Sequence, residues 1–270
     1  APNFMISASS FVSNCFTKSA FESSVINSFS IIQYLREYYL DLFTKYSLLY
    51  IMCWNPDISL NTFLFSALTM LFIYYTNTYT KYKTPTFDNP LVYLLFFEVI
   101  SIQLVEYFLW KNLKNKKWNE IFSKIASVVI NMQLITLIFL VKYPPYRSVF
   151  FILYVLYLII YFYYKDNYSP IQFTTSIGSN GHLSWNWLVY EGYENIFLVL
   201  WILFYVCLLL FIDNYIVSSF TIFLLVISLF FYFRNNTFGT IWCWSANLFM
   251  MYFLVNILFI QPFYEYNGLC

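Results

Sequence analysis

Residues 89–110 read NPLVYLLFFEVISIQLVEYFLW, and runs of this kind recur along most of the chain. A run of about 20 apolar residues is what a helix needs to cross a bilayer. Lipid offers no hydrogen bonds to a backbone, so an open apolar run of that length is stable there only as a helix. Seven runs fit: roughly 58–76, 89–110, 121–142, 147–164, 196–212, 215–233 and 239–260. Asp213–Asn214 is a polar break between two of them, and Pro144 and Pro145 in KYPPYR end one helix and start the next. The expected fold class is all-α, a polytopic transmembrane bundle of about seven spans. Composition agrees: 61% of residues are hydrophobic and only 10% charged, against about 25% charged in an ordinary soluble domain. One soluble core could not hide that much apolar surface.

Residues 31–50, IIQYLREYYLDLFTKYSLLY, differ in kind. Arg36, Glu37, Asp41 and Lys45 interrupt the large apolar side chains, which predicts an amphipathic helix lying at the membrane interface. The expected organisation is an interfacial segment over 1–57, a seven-helix domain over 58–260 and a tail over 261–270. Residues 1–30 lack the basic-then-apolar-then-small pattern of a secretory signal.

Several function classes are disfavoured. A net charge of +1 leaves no basic footprint for nucleic acid. Cys15, Cys53, Cys207, Cys243 and Cys270 are scattered without metal-ligand spacing and read as small hydrophobes. A single histidine, His182, cannot build a multi-histidine metal site. No glycine-rich phosphate loop occurs, and 239–260 contains no lysine for a Schiff base. The chain is expected to be non-enzymatic, with no metal and no cofactor.

Orientation follows from Lys and Arg. Seven spans place the N-terminal region, 111–120, 165–195 and 234–238 on one face, with Lys18, Arg36, Lys45, Lys111, Lys114, Lys116, Lys117, Lys124, Lys165 and Arg234. The opposite face carries Lys81, Lys83, Lys142 and Arg147. The first face is expected to be cytoplasmic or its topological equivalent. Trp54, Trp110, Trp118, Trp185, Trp187, Trp242 and Trp244 fall at that same basic face. An interfacial aromatic belt accounts for one indole per helix end. It accounts less well for the pairs in HLSWNW and IWCWSAN.

Polar side chains point to the same region. Glu98, Gln103 and Glu106 lie within an arc of roughly 140° on one helix, so a single side holds all three. Ionisable groups inside a span nearly always face the bundle interior. No Lys or Arg lies deep in a span, so Glu98 is expected to be hydrogen-bonded or neutral. Asn131, Gln133, Ser245 and Asn247 are candidate partners, although such residues also serve simply to hold helices together. The connection SIGSNGHLSWNW, 176–187, carries Gly178 and Gly181 for backbone reversal. Folded back over the bundle, it would bring His182 to Glu106 and cover both with indoles. The alternative is a solvated loop histidine. The candidate site comprises Glu98, Gln103, Glu106, Asn131, Gln133, His182, Trp185, Trp187, Trp242, Trp244 and Asn247.

The segments SIQLVEYFLWKN (101–112), GSNGHLSWNW (178–187) and GTIWCWSANL (239–248) resemble, in the same order, the signature segments of a family of polytopic membrane proteins. That family is encoded by nucleocytoplasmic large DNA viruses, with relatives in algae and protists. The resemblance covers about residues 58–260. It implies an integral membrane protein and supplies no reaction. The expected partners are the lipid bilayer and other membrane or capsid proteins, with no nucleic acid. Three functions are therefore weighed: a viral or organellar membrane component, a proton or small-solute transporter, channel or pH sensor using Glu98, Glu106 and His182, and an accessory subunit of a mitochondrial membrane complex.

Overall fold

The computed structural model describes residues 55–188, 195–233 and 236–267. All of them belong to one of the chain's two compact units, Cys53–Cys270. The expected interfacial helix at 31–50, together with Trp54 and Arg234, lies outside the described residues.

The unit is mainly helical: α1 (Pro56–Tyr79), α2 (Pro90–Lys111), α3 (Lys116–Leu140), α4 (Pro144–Asn167), α5 (Asn195–Phe211), α6 (Tyr215–Tyr232) and α7 (Phe238–Val255). A π-helical turn, Asn256–Ile260, continues α7 into α8 (Gln261–Tyr266). Helices occupy all seven regions expected from the sequence. Five are long and apolar enough to cross a membrane: α1, α2, α3, α4 and the continuous Phe238–Tyr266. α5 and α6 are shorter apolar helices. Local chemistry sets the starts. Asn55, Asn89, Asn115 and Asn214 each accept a backbone N–H from the first turn, and proline follows the cap in α1 and α2. The Asn115 cap is why α3 begins at Lys116 rather than near 121.

α1 packs in the opposite sense to a helix of a soluble bundle, although the unit as a whole has an apolar core. α1 buries Ser59, Ser66 and Thr69 at 0% exposure while Leu71 on its outer side is 65% exposed. Ser59, Ser66, Thr69, Ile73 and Thr76 recur at steps of seven, three, four and three, so a stripe in which four of five side chains are small hydroxyls forms the seam against the other helices. The Ser66 hydroxyl donates to Asn247 of α7 at 2.6 Å. The remaining contacts are largely aromatic: Phe87, Phe96, Phe249 and Phe253 interlock between α2 and α7, and Phe220 of α6 meets Phe249 at 4.6 Å. α5 returns beside α3 and α4, with Lys142 N–H donating to the Phe211 carbonyl at 3.1 Å.

One element departs from the all-α expectation. Residues after α4 form an antiparallel hairpin of β1 (Thr175–Ile177) and β2 (Leu183–Trp185), pairing Thr175 with Trp185. Gly178 N–H donates to the His182 carbonyl at 2.7 Å, and Gly181 takes φ +81°, a conformation L side chains resist. The alternation of small and aromatic residues is too short to read as strands without the helices that anchor them.

Candidate functional site

The hairpin lies across the ends of α3 and α7, held by side chains from both. On α3, Asn119 and Ser123 are one turn apart. Asn119 donates to the Thr175 carbonyl at 2.9 Å and accepts its N–H at 2.8 Å, and Ser123 and Thr175 share a hydroxyl bond at 2.8 Å. On α7, the Thr240 hydroxyl donates to the Leu183 carbonyl at 2.9 Å, and Asn180 donates to Thr237 at 2.8 Å. Trp185 packs on Gly239 and stacks on Trp187, with ring centroids 5.3 Å apart. Asn119, Ser123, Thr175 and Thr240 were not singled out in the sequence. The signal that would have found the first two is their four-residue spacing at the start of an apolar run.

Beside Thr240, which holds the hairpin, lies Glu106, at 0% exposure. It is five residues from the end of α2, about 8 Å along the axis. The Thr240 hydroxyl and the Gln103 amide stand close enough to act on its carboxyl, with the buried Cys243 beside them, yet no group meets either carboxyl oxygen in full hydrogen-bond geometry. The nearest hydroxyl, Thr240, is already committed to Leu183. Gln103 accepts from Thr62 of α1 at 3.1 Å, a hydroxyl proton shared with the Ile58 and Ser59 carbonyls, while its own Nε2 is unpaired. Gln133 Nε2 and the indole N–H groups of Trp185 and Trp187 are buried and also lack acceptors among the described residues. Glu98, two turns deeper on α2, accepts the Thr136 hydroxyl at 2.9 Å through one oxygen and leaves the other unpaired.

Not every candidate joins this set. Asn131 turns to α4, where it accepts from the Tyr154 hydroxyl at 2.8 Å. Asn247 serves the α1–α7 seam, and its amide donates to the Trp244 carbonyl at 2.7 Å. Trp242 packs edge-on against Tyr205 of α5 at 5.7 Å. The expected meeting of His182 with Glu106 is not a hydrogen bond, because both Glu106 oxygens are without partners. The His182 ring packs instead on Tyr232 at the end of α6, at 5.7 Å. His182 precedes β2, whose first residue, Leu183, pairs with Ile177 and is fastened to Thr240 through its carbonyl. Burial lowers the His182 pKa from its ordinary value, so the ring favours its neutral form.

No protein family, curated protein or solved structure matches the chain. The site must therefore be read from its own chemistry. Among the described residues no three His, Cys, Asp or Glu side chains group closely enough to hold a metal ion. What the geometry does assemble is a set of hydrogen-bonding groups in a bundle interior. Each buried donor or acceptor left unpaired costs about 1–3 kcal/mol, and native interiors rarely contain several together. Such a set is suited to holding small polar species that both donate and accept, water among them.

Proposed function

We propose that this chain is a non-enzymatic, multi-pass component of a viral or organellar membrane, with a polar hydrogen-bonding site at Glu106 covered by the tryptophan hairpin. The observation that carries the reading is the inversion of polarity: α1 buries serine and threonine and exposes leucine, while unpaired polar atoms of Gln103, Glu106 and Gln133 lie inside the bundle. Lipid as the outer solvent accounts for the first feature, and a polar occupant for the second.

Seven crossings follow if α5 and α6 also span. At 17 and 18 residues they are about 26 and 27 Å long, slightly short of a 30 Å hydrocarbon core. In support, the C-terminal end of α5 meets the α3–α4 turn through the Val141–Ile212 bridge, and the far end of α6 meets the start of α7 through Ser228 and the Phe238 carbonyl. Both short helices thus run between the levels at which their longer neighbours turn. The N-terminus and the 165–195 loop then lie on the cytoplasmic-equivalent side, with the three motif segments on one rim. The likeness of those segments to the large-DNA-virus family is the reason for placing the protein in such a membrane. Single cysteines at 112, 180 and 236 in a cysteine-free background should react with an impermeant maleimide from one side, and cysteines at 83 and 143 from the other. Labelling of 180 and 143 from the same side would defeat the seven-span arrangement.

A second reading, transport of protons or a small solute, draws on the spacing of Glu106, Gln103 and Glu98 over about 12 Å of α2. Proteoliposomes loaded with a pH-sensitive dye separate the two: a membrane component leaves an imposed pH gradient intact, and a transporter collapses it in a manner abolished by Glu106→Gln.

A further inference from the structure

We propose that the loop joining α2 to α3 binds the headgroup of an anionic phospholipid. Residues 110–117, WKNLKNKK, hold Lys111, Lys114, Lys116 and Lys117, four of the chain's 14 basic residues, with no acid among them. All four lysines are exposed, and together with Trp110 they line a concavity of about 780 Å³. The closest acid in sequence on α3, Glu120, is engaged by Lys124 at 2.6 Å. On α2 the closest is Glu106, which is buried. The loop itself thus carries four positive charges and no carboxylate, Glu120 being shared between Lys124 and Lys116, and the N-terminal end of α3 adds its positive dipole to the same field.

Charge alone would suit any phosphate. The surface immediately below selects an amphiphile. Trp118 stacks on Phe122 at 5.8 Å, Phe122 stacks on Phe108 at 5.0 Å, and Trp118 and Phe108 are exposed. Lys111 reaches over the Tyr107 ring at 5.7 Å. A cationic rim therefore continues into an aromatic wall along the outer side of α2 and α3, the side that lipid covers. An acyl chain lies along that wall when a phosphate sits among the lysines. Free phosphate engages only the rim. Basic residues next to a membrane attract anionic lipid in this way. The assignment rests on the membrane reading above for α2 and α3 alone, and does not involve Glu106.

Isothermal titration calorimetry of the full chain in a non-ionic detergent tests the site with dioctanoyl phosphatidylserine, dioctanoyl phosphatidylcholine and inorganic phosphate. Phosphatidylserine should bind at least about ten-fold more tightly than either of the others, and more weakly as salt is raised. Each Lys→Gln replacement at 111, 114, 116 or 117 should weaken binding about five-fold, and the quadruple variant should fall to the phosphatidylcholine level. A quadruple Lys→Arg variant, which keeps the charge, should retain binding and controls for misfolding. Equal binding of the two lipids, or an unaffected quadruple Lys→Gln variant, overturns the proposal; phosphate matching phosphatidylserine overturns the lipid assignment. Failure here would leave the crossing count, read by maleimide labelling, untouched.

Discussion

The edge of the Trp185 indole abuts Gly239, so closely that a Cβ at position 239 would sit 2.6 Å from Cζ3 of the ring. The contact joins the hairpin to the first turn of α7 and places a rigid ring where only a glycine leaves room. Gly239→Ala forces the ring or the helix to move, because a buried indole has no flexible end to yield. Overpacking of this kind costs about 1–3 kcal/mol. A lower thermal midpoint in detergent, with increased hydrogen exchange over 175–188, is the expected result. An unchanged midpoint would mean that the hairpin is not seated on α7.

Glu106 should be dispensable for folding. Its carboxyl is fully buried and has no hydrogen-bond partner, so it stabilises nothing that an apolar residue of similar size would not. Glu106→Leu is expected to leave the unfolding free energy unchanged or raise it by up to about 2 kcal/mol. A loss of more than about 1 kcal/mol would show that the carboxyl holds the bundle together through a bond absent from this geometry.

His182 makes stability depend on pH in one direction. Burial holds its folded pKa below the ordinary 6.5, so as pH falls the unfolded chain takes up the proton first. Its contribution is complete above about pH 6.5 and declines as pH drops towards the lower, folded value. Since it is the chain's only histidine, comparing His182→Gln with wild type between pH 5 and 8 isolates the effect. The variant should show a flatter decline on the acid side; parallel curves would place the ring in water.

At the other end of the bundle, α8 is tied to the loop after α1. The Tyr82 hydroxyl donates to Glu265 at 2.8 Å, Lys81 pairs with the same carboxylate, and Gln261 donates to the Lys83 carbonyl at 2.9 Å. Burial, and then the Glu265 carboxylate, push the Tyr82 pKa up to about 12, so the phenol remains a donor at any physiological pH. Tyr82→Phe should accelerate amide exchange across 261–266 while leaving 90–111 unaffected. Equal exchange in both proteins would show that α8 is held by other contacts.

The helices and their order could be read from apolar run length alone, since only a helix satisfies the backbone of a long apolar run in lipid. The carboxylates on α2 were equally legible, because helical periodicity places Glu98, Gln103 and Glu106 on one side whatever surrounds them. Which partners those groups receive was not. Asn131 and Gln133 are two positions apart on α3 and so project about 160° apart; one bonds Tyr154 and the other stays buried with its amide nitrogen unpaired. The hairpin needed the tertiary structure most. Its strands are three residues each, too short to persist without Asn119, Ser123 and Thr240 to accept and donate their hydrogen bonds. Local sequence therefore determined where the chain becomes helical, while long-range pairing decided that the hairpin is fastened to α3 and α7, that Trp185 packs on Gly239 and that the His182 ring packs on Tyr232.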